Sequence, residues 1–294
     1  MIEYIGKKIG NYGSLVKFSH TIFAMPFALI GYFTAISEGY AFQWHVLFLV
    51  LMCMVFARSA AMAFNRYIDK DIDIKNPRTS AREIPAGIIK PSASLIFIFL
   101  NVGCFVLACF YINPICLYLS PVALLVILGY SYTKRFTALC HLVLGLGLSL
   151  APIGAYLSVT GTFAWLPLMY SFAVIFWVSG FDIIYALQDI HFDKSQELKS
   201  IPVFLGEAGA LRLSEGLHFL SAACVCAAGM FVPGGFFYWL GALIFTGLLI
   251  YQHRLVKPGD LRKVNVAFMT TNGYASILFA ACVIGDMAFK HWRF

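Results

Sequence analysis

The sequence predicts an all-α, polytopic membrane protein whose helices form one bundle. Of its 294 residues, 61% are hydrophobic and only 12% are charged, and the mean hydropathy is +0.81. Soluble domains average about 45–50% apolar and about 25% charged residues, so this chain has too little polar surface for a water-soluble fold. The composition therefore excludes a soluble enzyme, a disordered chain and a nucleic-acid-binding protein, and it predicts a chain embedded in the lipid bilayer.

About nine apolar segments approach the length of a transmembrane helix, which needs about 20 mainly apolar residues. They lie near residues 20–37, 44–64, 95–112, 115–132, 138–159, 164–187, 214–231, 235–251 and 267–289. Short connections without Lys or Arg alternate with long connections that are basic. This alternation is typical of a bundle of spans that enter and leave the membrane in turn.

The basic residues are concentrated on one side of the predicted bundle. All but two of the 21 Lys and Arg residues belong to the N-terminus or to the side with the long connections. The positive-inside rule assigns that side to the cytoplasm. The basic first 17 residues predict an interfacial helix rather than a cleavable signal peptide. We therefore expect a multi-pass protein of the inner (plasma) membrane, with its N-terminus and long loops in the cytoplasm.

Two polar segments follow spans on this cytoplasmic side, and their patterns match. The first has the spacing Asn65-xxx-Asp69-xxx-Asp73, and the second has the spacing Tyr185-xxx-Asp189-xxx-Asp193. A basic residue, a spacer and Ile-Pro follow in both segments, at Arg82 and at Lys199. The match predicts one domain with two internal repeats, about 20–132 and 138–251, and a ninth helix at 267–289.

The spacing of these segments predicts a site for a metal ion and an anion. Residues at i, i+4 and i+8 share one face of a helix, so each segment presents a stripe of oxygen ligands. Mg²⁺ prefers such ligands, takes one or two carboxylates, and is completed by water and substrate phosphates. Nearby basic residues suit a diphosphate, because Arg binds phosphate groups through two parallel hydrogen bonds. The predicted metal ligands are Asn65, Asp69, Asp73, Asp189 and Asp193.

Four further residues carry charges whose roles the sequence leaves open. Lys134 and Arg135 follow the fourth span and are either membrane anchors or contacts to the anion. Arg58 and Asp182 lie about two helical turns before the two acidic segments, nearer the apolar interior. Ionisable residues inside spans are functional candidates by default. The structural alternative is an Arg58–Asp182 ion pair that connects two helices.

The paired acidic motifs resemble those of the UbiA superfamily of intramembrane prenyltransferases. The resemblance includes the stretches Tyr185-Ala-Leu-Gln-Asp189 and Tyr130-Ser-Tyr-Thr-Lys-Arg135, and it extends from about His20 to the last span. It is strongest for the branch that acts on 4-hydroxybenzoate. Arg66 departs from the pattern, since some members carry Asp at this position.

The resemblance implies a nine-helix bundle around a central cavity that cytoplasmic loops cap. It implies Mg²⁺-dependent transfer of a polyprenyl group from an isoprenyl diphosphate to a ring carbon of an aromatic acid, in quinone biosynthesis. The implied roles are metal binding by the two acidic motifs and binding of the acceptor carboxylate by Arg135 or Arg58. Further contacts to the substrates would come from Arg78, Arg82, Lys134, Lys199 and Tyr185. The mechanism built from these parts leaves Asp182, or diphosphate itself, as the candidate proton acceptor.

Two alternatives accompany this interpretation. Relatives that act on naphthoates in menaquinone synthesis also take an aromatic carboxylate as acceptor, so one arginine suits either substrate. A membrane transporter is the non-enzyme alternative. Carriers place ionisable residues near the bilayer midplane on broken helices, whereas the acidic pairs here lie at the cytoplasmic ends of spans.

Overall fold

The computed structural model describes residues 10–16, 23–231 and 234–291, and within them the chain is almost entirely helical. The helices are α1 (Met25–Ser37), α2 (Trp44–Ile68), α3 (Lys70–Asp73), α4 (Pro91–Ile112), α5 (Pro114–Thr133), α6 (Cys140–Thr160), α7 (Trp165–Ala186), α8 (Ile190–Ser195), α9 (Ile201–Phe231), α10 (Phe236–Leu255) and α11 (Asn272–His291). The predicted all-α class is confirmed.

Eight segments of the described chain are long and apolar enough to cross a membrane. They correspond to all the predicted spans except the first. That span coincides with α1, which has 13 residues and follows residues 17–22, outside the described part. The count of nine therefore stays a prediction. Of the predicted interfacial helix, residues 10–15 are helical, and residues 1–9 lie outside the described part.

Both acidic motifs lie where a long helix is interrupted. Helix α2 ends at Ile68, Asp69 leaves the helical conformation with φ −91° and ψ 2°, and α3 continues to Asp73. In the second motif a 3₁₀ turn, Leu187–Asp189, separates α7 from α8. The predicted continuous stripes are therefore bent at Asp69 and at Asp189. The bends allow the two aspartates of each motif to contact different partners.

The bundle contains a tightly packed aromatic core and, beside it, an apolar cavity. Helix α7 packs against α6 and α9, and α10 packs against α11. The aromatic core, to which α1, α7, α10 and α11 contribute, includes Phe27, Trp177, Phe245 and Phe279. Helices α2, α4, α5 and α6 instead surround an apolar cavity of about 330 Å³. The described part of the chain therefore contains an apolar cavity between these four helices, beside the aromatic core, and its capping by cytoplasmic loops stays a prediction.

A close contact between α1 and α6 leads to a stability prediction. A Cβ atom at Gly31 would overlap the backbone carbonyl of Pro152, which cannot move without shifting α6. We expect Gly31→Ala to destabilise the protein by about 1–3 kcal/mol, the usual effect of overpacking. Thermal unfolding in detergent measures this change. Gly103→Ala is the matched control, because a Cβ atom at Gly103 meets open space; an equal loss in both variants would contradict the prediction.

Candidate active site

The predicted acidic and basic residues meet at one end of the bundle. They come from the end of α2, the loop 74–90, the loop between α5 and α6, and the segment from α7 to the start of α9. Ion pairs join these elements across long distances in sequence, as in the contacts Lys134–Asp69 and Arg78–Asp189. The two halves of the chain therefore build one polar site.

Asp69 is the most enclosed carboxylate of this site, with 2% of its surface exposed. Its side chain accepts hydrogen bonds from Asn65 Nδ2 at 3.2 Å and from Arg135 Nη2 at 2.9 Å. Lys134 Nζ lies 2.7 Å from its second oxygen. Arg135 also donates to the carbonyl oxygen of Ile68 at 3.0 Å. These contacts attach the loop after α5 to the end of α2 and place two cations beside one aspartate.

Asp73 and Arg82 form a separate pair within the loop that follows α3. Nη1 of Arg82 donates to both carboxylate oxygens of Asp73, at 2.9 and 2.8 Å. Thr79 Oγ1 donates to the backbone carbonyl of Asp73 at 3.1 Å. The loop therefore folds back on the first motif, and it brings a predicted phosphate-binding arginine to a predicted metal ligand.

Asp189 connects the second motif to the loop of the first. Arg78 contacts its two carboxylate oxygens through Nε, at 2.9 Å, and through Nη2. Nη1 of Arg78 donates to the Tyr185 hydroxyl at 3.2 Å. Asn76 Nδ2 donates to Asp189 Oδ1 at 3.1 Å, and Asn76 Oδ1 accepts from the Arg78 backbone at 2.9 Å. Asn76 thus holds both partners of the ion pair.

The charge of Arg78 is secured by these contacts. Burial alone lowers the pKa of its guanidinium, but the hydrogen bond and the charge of Asp189 outweigh burial and raise the pKa above its usual value. Arg78 therefore stays cationic at any physiological pH. Sequence reasoning missed Asn76, since an Asn before Pro is typical of a turn and carries no charge to mark it.

Asp193 and Lys199 lie at the edge of the site. Asp193 is close enough to Asp189 and Lys134 to interact electrostatically with both. The backbone nitrogen of Lys199 donates to the carbonyl of Lys134 at 2.7 Å, while its Nζ donates to the carbonyl of Phe136 at 3.4 Å. The structure therefore places Lys199 beside Lys134, with its ammonium group on a backbone oxygen rather than on a carboxylate.

Arg58 lies in the wall of the apolar cavity, together with Tyr130. Arg58 Nε is buried without a hydrogen-bond partner in the described part of the chain. A cation inside a membrane span is expensive unless it is paired. Arg58 therefore offers an anion-binding group on the cavity surface.

Asp182 pairs with His141 and not with Arg58. His141 Nδ1 lies 2.7 Å from Asp182 Oδ2, and the side chains are 4% and 23% exposed. The Arg58–Asp182 ion pair that the sequence left open is therefore not formed. Sequence reasoning missed His141, although the criterion that selected Arg58 and Asp182, an ionisable side chain within a span, selects it as well.

The oxygen donors of this site fit Mg²⁺ at two separate positions, each with one carboxylate. Within the described ranges, no group of three or more Asp, Glu, His or Cys residues is placed to hold a metal ion. Mg²⁺ needs only one or two carboxylates, however, with water and substrate phosphates completing its shell. Asp69 lies beside the Asn65 amide, and Asp189 lies beside the Asn76 amide. The ligand set predicted from the two motifs stays a prediction.

Comparison with known proteins decides the family. The profile of the UbiA prenyltransferase family matches residues 24–278. The chain belongs to this family. It is 29% identical to a 4-hydroxybenzoate octaprenyltransferase of Aliivibrio fischeri (strain MJ11) over 247 residues, 81% of this chain and 83% of the relative. It is 28% identical to a protein of the same name from Nitrosomonas eutropha, over 82% of this chain and 84% of the relative.

Solved structures of UbiA homologs share the fold. The apo structure of a UbiA homolog from Aeropyrum pernix K1 has 31% sequence identity and a TM-score of 0.83, covering 91% of this chain and 98% of the homolog. A UbiA homolog from Archaeoglobus fulgidus bound to GPP and Mg²⁺ has 20% identity and a TM-score of 0.73, covering 95% and 99%. This UbiA family member is therefore a multi-pass membrane enzyme that transfers prenyl groups, which confirms the resemblance and the enzyme interpretation.

Proposed function

We propose that this enzyme transfers a polyprenyl group from an isoprenyl diphosphate to a ring carbon of an aromatic acid, with Mg²⁺, in quinone biosynthesis. 4-Hydroxybenzoate is the first candidate acceptor, because the relatives described above carry its name. The observation that carries the proposal is the arrangement of Asp69 and Asp189. Each forms ion pairs with basic side chains, and Lys134, the partner of Asp69, follows by four residues Tyr130, which lines the apolar cavity.

The basic residues of the site would bind the diphosphate. Lys134, Arg135 and Arg78 contact Asp69 and Asp189. These three cations would bind the phosphate oxygens if the aspartates held Mg²⁺. Bound Mg²⁺ would supply Lewis-acid stabilisation of the departing diphosphate. Asn65 and Asp69 would form one metal position, and Asp189 and Asn76 would form the other. Asp73 and Asp193 would be further metal ligands, one in each motif.

The apolar cavity suits the beginning of the prenyl tail. Burial of each CH₂ group contributes about 0.8 kcal/mol, and the lining is almost wholly apolar, with residues such as Met54, Phe105 and Leu148. Breaking the allylic C–O bond leaves a cation that water would quench. The cavity excludes water at this point, so that the ring of the acceptor is the available nucleophile.

Arg58 is the preferred partner of the acceptor carboxylate. The alternative, Arg135, already donates to Ser131 and Ile68 carbonyls and to Asp69. Arg58 lies on the cavity wall with Nε unpartnered within the described part. The ring carbon then attacks C1 of the prenyl group, a C–C bond forms, and the ring carbon loses its proton.

We also infer the orientation and the domain structure from the sequence. The site is formed by the basic loops, which the positive-inside rule assigns to the cytoplasm, so that soluble acceptors reach it from the inner face of the plasma membrane. The paired motifs support one domain of two internal repeats followed by the last span.

One experiment tests reaction and acceptor together. Purified protein is incubated with Mg²⁺, one isoprenyl diphosphate, and a panel containing 4-hydroxybenzoate, hydroxynaphthoates and unsubstituted phenol, and the products are identified by mass. We expect a product equal to acceptor plus prenyl minus one hydrogen, lost with EDTA and restored by excess Mg²⁺. A product from a naphthoate alone would favour the menaquinone alternative, and no product from any aromatic acid would overturn the proposal.

A further inference from the structure

We propose that Gly154 in α6 determines which lengths of prenyl tail the enzyme accepts. This inference rests on the proposed function, because it takes an isoprenyl diphosphate as the donor. It concerns the far part of the apolar cavity, on the side away from the polar site. The absence of a side chain at Gly154 keeps the cavity open for tails longer than about three isoprene units.

The apolar cavity follows α6 for most of its length. Tyr130 and Leu144 line the end nearer the polar site, and Ser158 and Phe163 line the other end. A helix rises about 1.5 Å per residue, so the distance along α6 from Leu144 to Ser158 is about 20 Å. Phe163 follows the end of α6 and is 57% exposed. The cavity therefore leads from the polar site to the opposite surface of the bundle.

The contact between α5 and α6 defines the depth of Gly154 in this cavity. A Cβ atom at Gly147 would lie 3.6 Å from Cγ2 of Ile127, so these two residues are at the same level. The short loop between α5 and α6 makes the two helices antiparallel, and Tyr130 is therefore level with Leu144. Gly154 lies ten residues after Leu144, which is about 15 Å deeper along α6.

Close packing of helices does not account for a glycine at this position. A Cβ atom at Gly145, on the same helix, would lie 2.5 Å from the carbonyl oxygen of Ile175 in α7, whereas a Cβ atom at Gly154 meets open space among the described residues. Glycine in the middle of a helix is destabilising relative to alanine. Gly154 lines the cavity, so the space that its missing side chain leaves belongs to the cavity.

The depth of Gly154 corresponds to a particular part of the tail. A C–C bond is about 1.5 Å long, so an extended isoprene unit with four chain bonds spans about 5 Å. A tail whose first carbon is level with Tyr130 reaches Gly154 with about its third unit. A geranyl tail, with two units, ends before Gly154. A geranylgeranyl tail, with four units, and an octaprenyl tail both pass it.

A panel of donors tests the assignment. Geranyl, geranylgeranyl and octaprenyl diphosphates are compared with Mg²⁺ and 4-hydroxybenzoate. Gly154→Leu should lower kcat/KM for the two longer donors by about 10–50-fold, because each buried CH₂ group strengthens binding about fourfold and the new side chain displaces two or three of them. The kcat/KM for geranyl diphosphate should match that of wild type. Gly154→Ala should cause a smaller loss, again confined to the longer donors.

Gly103→Leu is the matched control. A Cβ atom at Gly103 also meets open space, but Gly103 does not line the cavity, so kcat/KM should stay unchanged with all three donors. Thermal unfolding in detergent without donor should show that both leucine variants are as stable as wild type. The same measurement with Mg²⁺ and donor, but without acceptor, reports binding alone. Geranylgeranyl diphosphate should stabilise wild type more than geranyl diphosphate does, and Gly154→Leu should lose this difference.

The outcomes separate this inference from the proposed function. An equal loss of kcat/KM with all donors in Gly154→Leu, or no loss with any donor, would overturn the role of Gly154 while prenyl transfer to an aromatic acid still stands. If no aromatic acid is prenylated, the binding measurement still decides. The dependence on tail length is then lost in Gly154→Leu if the inference is correct, and it persists there if the inference is wrong.

Discussion

Replacing Asp69 or Asp189 with Ala is expected to lower prenyl transfer by about 10³-fold or more while the protein stays folded. Each aspartate is the carboxylate of one proposed metal position. Its loss removes charge stabilisation of the departing diphosphate, which is worth several kcal/mol in metal-assisted reactions. Product formation at saturating Mg²⁺ and diphosphate measures the effect.

The protein should stay folded after these substitutions, because the cations that lose their partner are partly exposed to water. The cations that remain after the loss of Asp69 are Lys134 and Arg135, whose side chains are 29% and 32% exposed. Water can solvate them, so the penalty for an unpaired charge is small compared with that of a buried pair. Thermal unfolding in detergent tests this part of the prediction.

Asp71→Ala is the matched control for the first motif. Asp71 lies between the two motif aspartates, but its side chain is 77% exposed and contacts Lys70. Its loss should leave activity close to that of wild type. Activity retained in purified Asp69→Ala and Asp189→Ala at saturating Mg²⁺ would remove the mechanism that uses both motifs.

Arg58→Met is expected to lower kcat/KM for a carboxylate acceptor by about 10²–10³-fold. Truncating one partner of a buried charge pair costs about 2–5 kcal/mol, and Arg58 is the candidate partner of the carboxylate. The loss should be absent with an acceptor that lacks the carboxylate, such as phenol. The variant should also be as stable as wild type or more stable, because an apolar side chain replaces a cation inside a span whose Nε has no hydrogen-bond partner among the described residues.

Arg135→Met serves as the comparison for this prediction. Arg135 contacts Asp69 and the end of α2, so its loss should lower activity with carboxylate and phenol acceptors alike. A carboxylate-specific loss in Arg135→Met, with none in Arg58→Met, would transfer the acceptor-binding role to Arg135. The measurement is the ratio of kcat/KM for the carboxylate acceptor to kcat/KM for phenol, in which differences in protein stability cancel.

Local information was enough to predict the helices and the polar end of the bundle. The apolar runs predict α2, α4, α5, α6, α7, α10 and α11 to within a few residues, because the bilayer requires long apolar segments with internally satisfied backbones. The start of α9 differs more. The predicted span began near 214, but the helix begins at Ile201 and is kinked at Gly206, where φ is 68°. Polar side chains there concealed a helix that extends beyond the apolar core.

The sequence did not predict which side chain each charged residue contacts. The spacing i, i+4 identified Asp69 and Asp189, since one helix face follows from helical periodicity alone. Asp182 was identified as an ionisable residue within a span, but the only partner that the sequence suggested for it was Arg58. The packing of α6 on α7 decided that His141 is the partner. Asn76 was missed for the same reason, since its role arises only when the loop reaches Asp189.

The sequence by itself determined the all-α membrane class and the residue types of the acidic motifs, because composition, hydropathy and spacing are properties of neighbouring residues. Tertiary structure decided which cation holds which aspartate, where the cavity lies, and that His141 rather than Arg58 contacts Asp182. These features depend on the packing of helices distant in sequence, and a contact between two side chains exists only once that packing has brought them together.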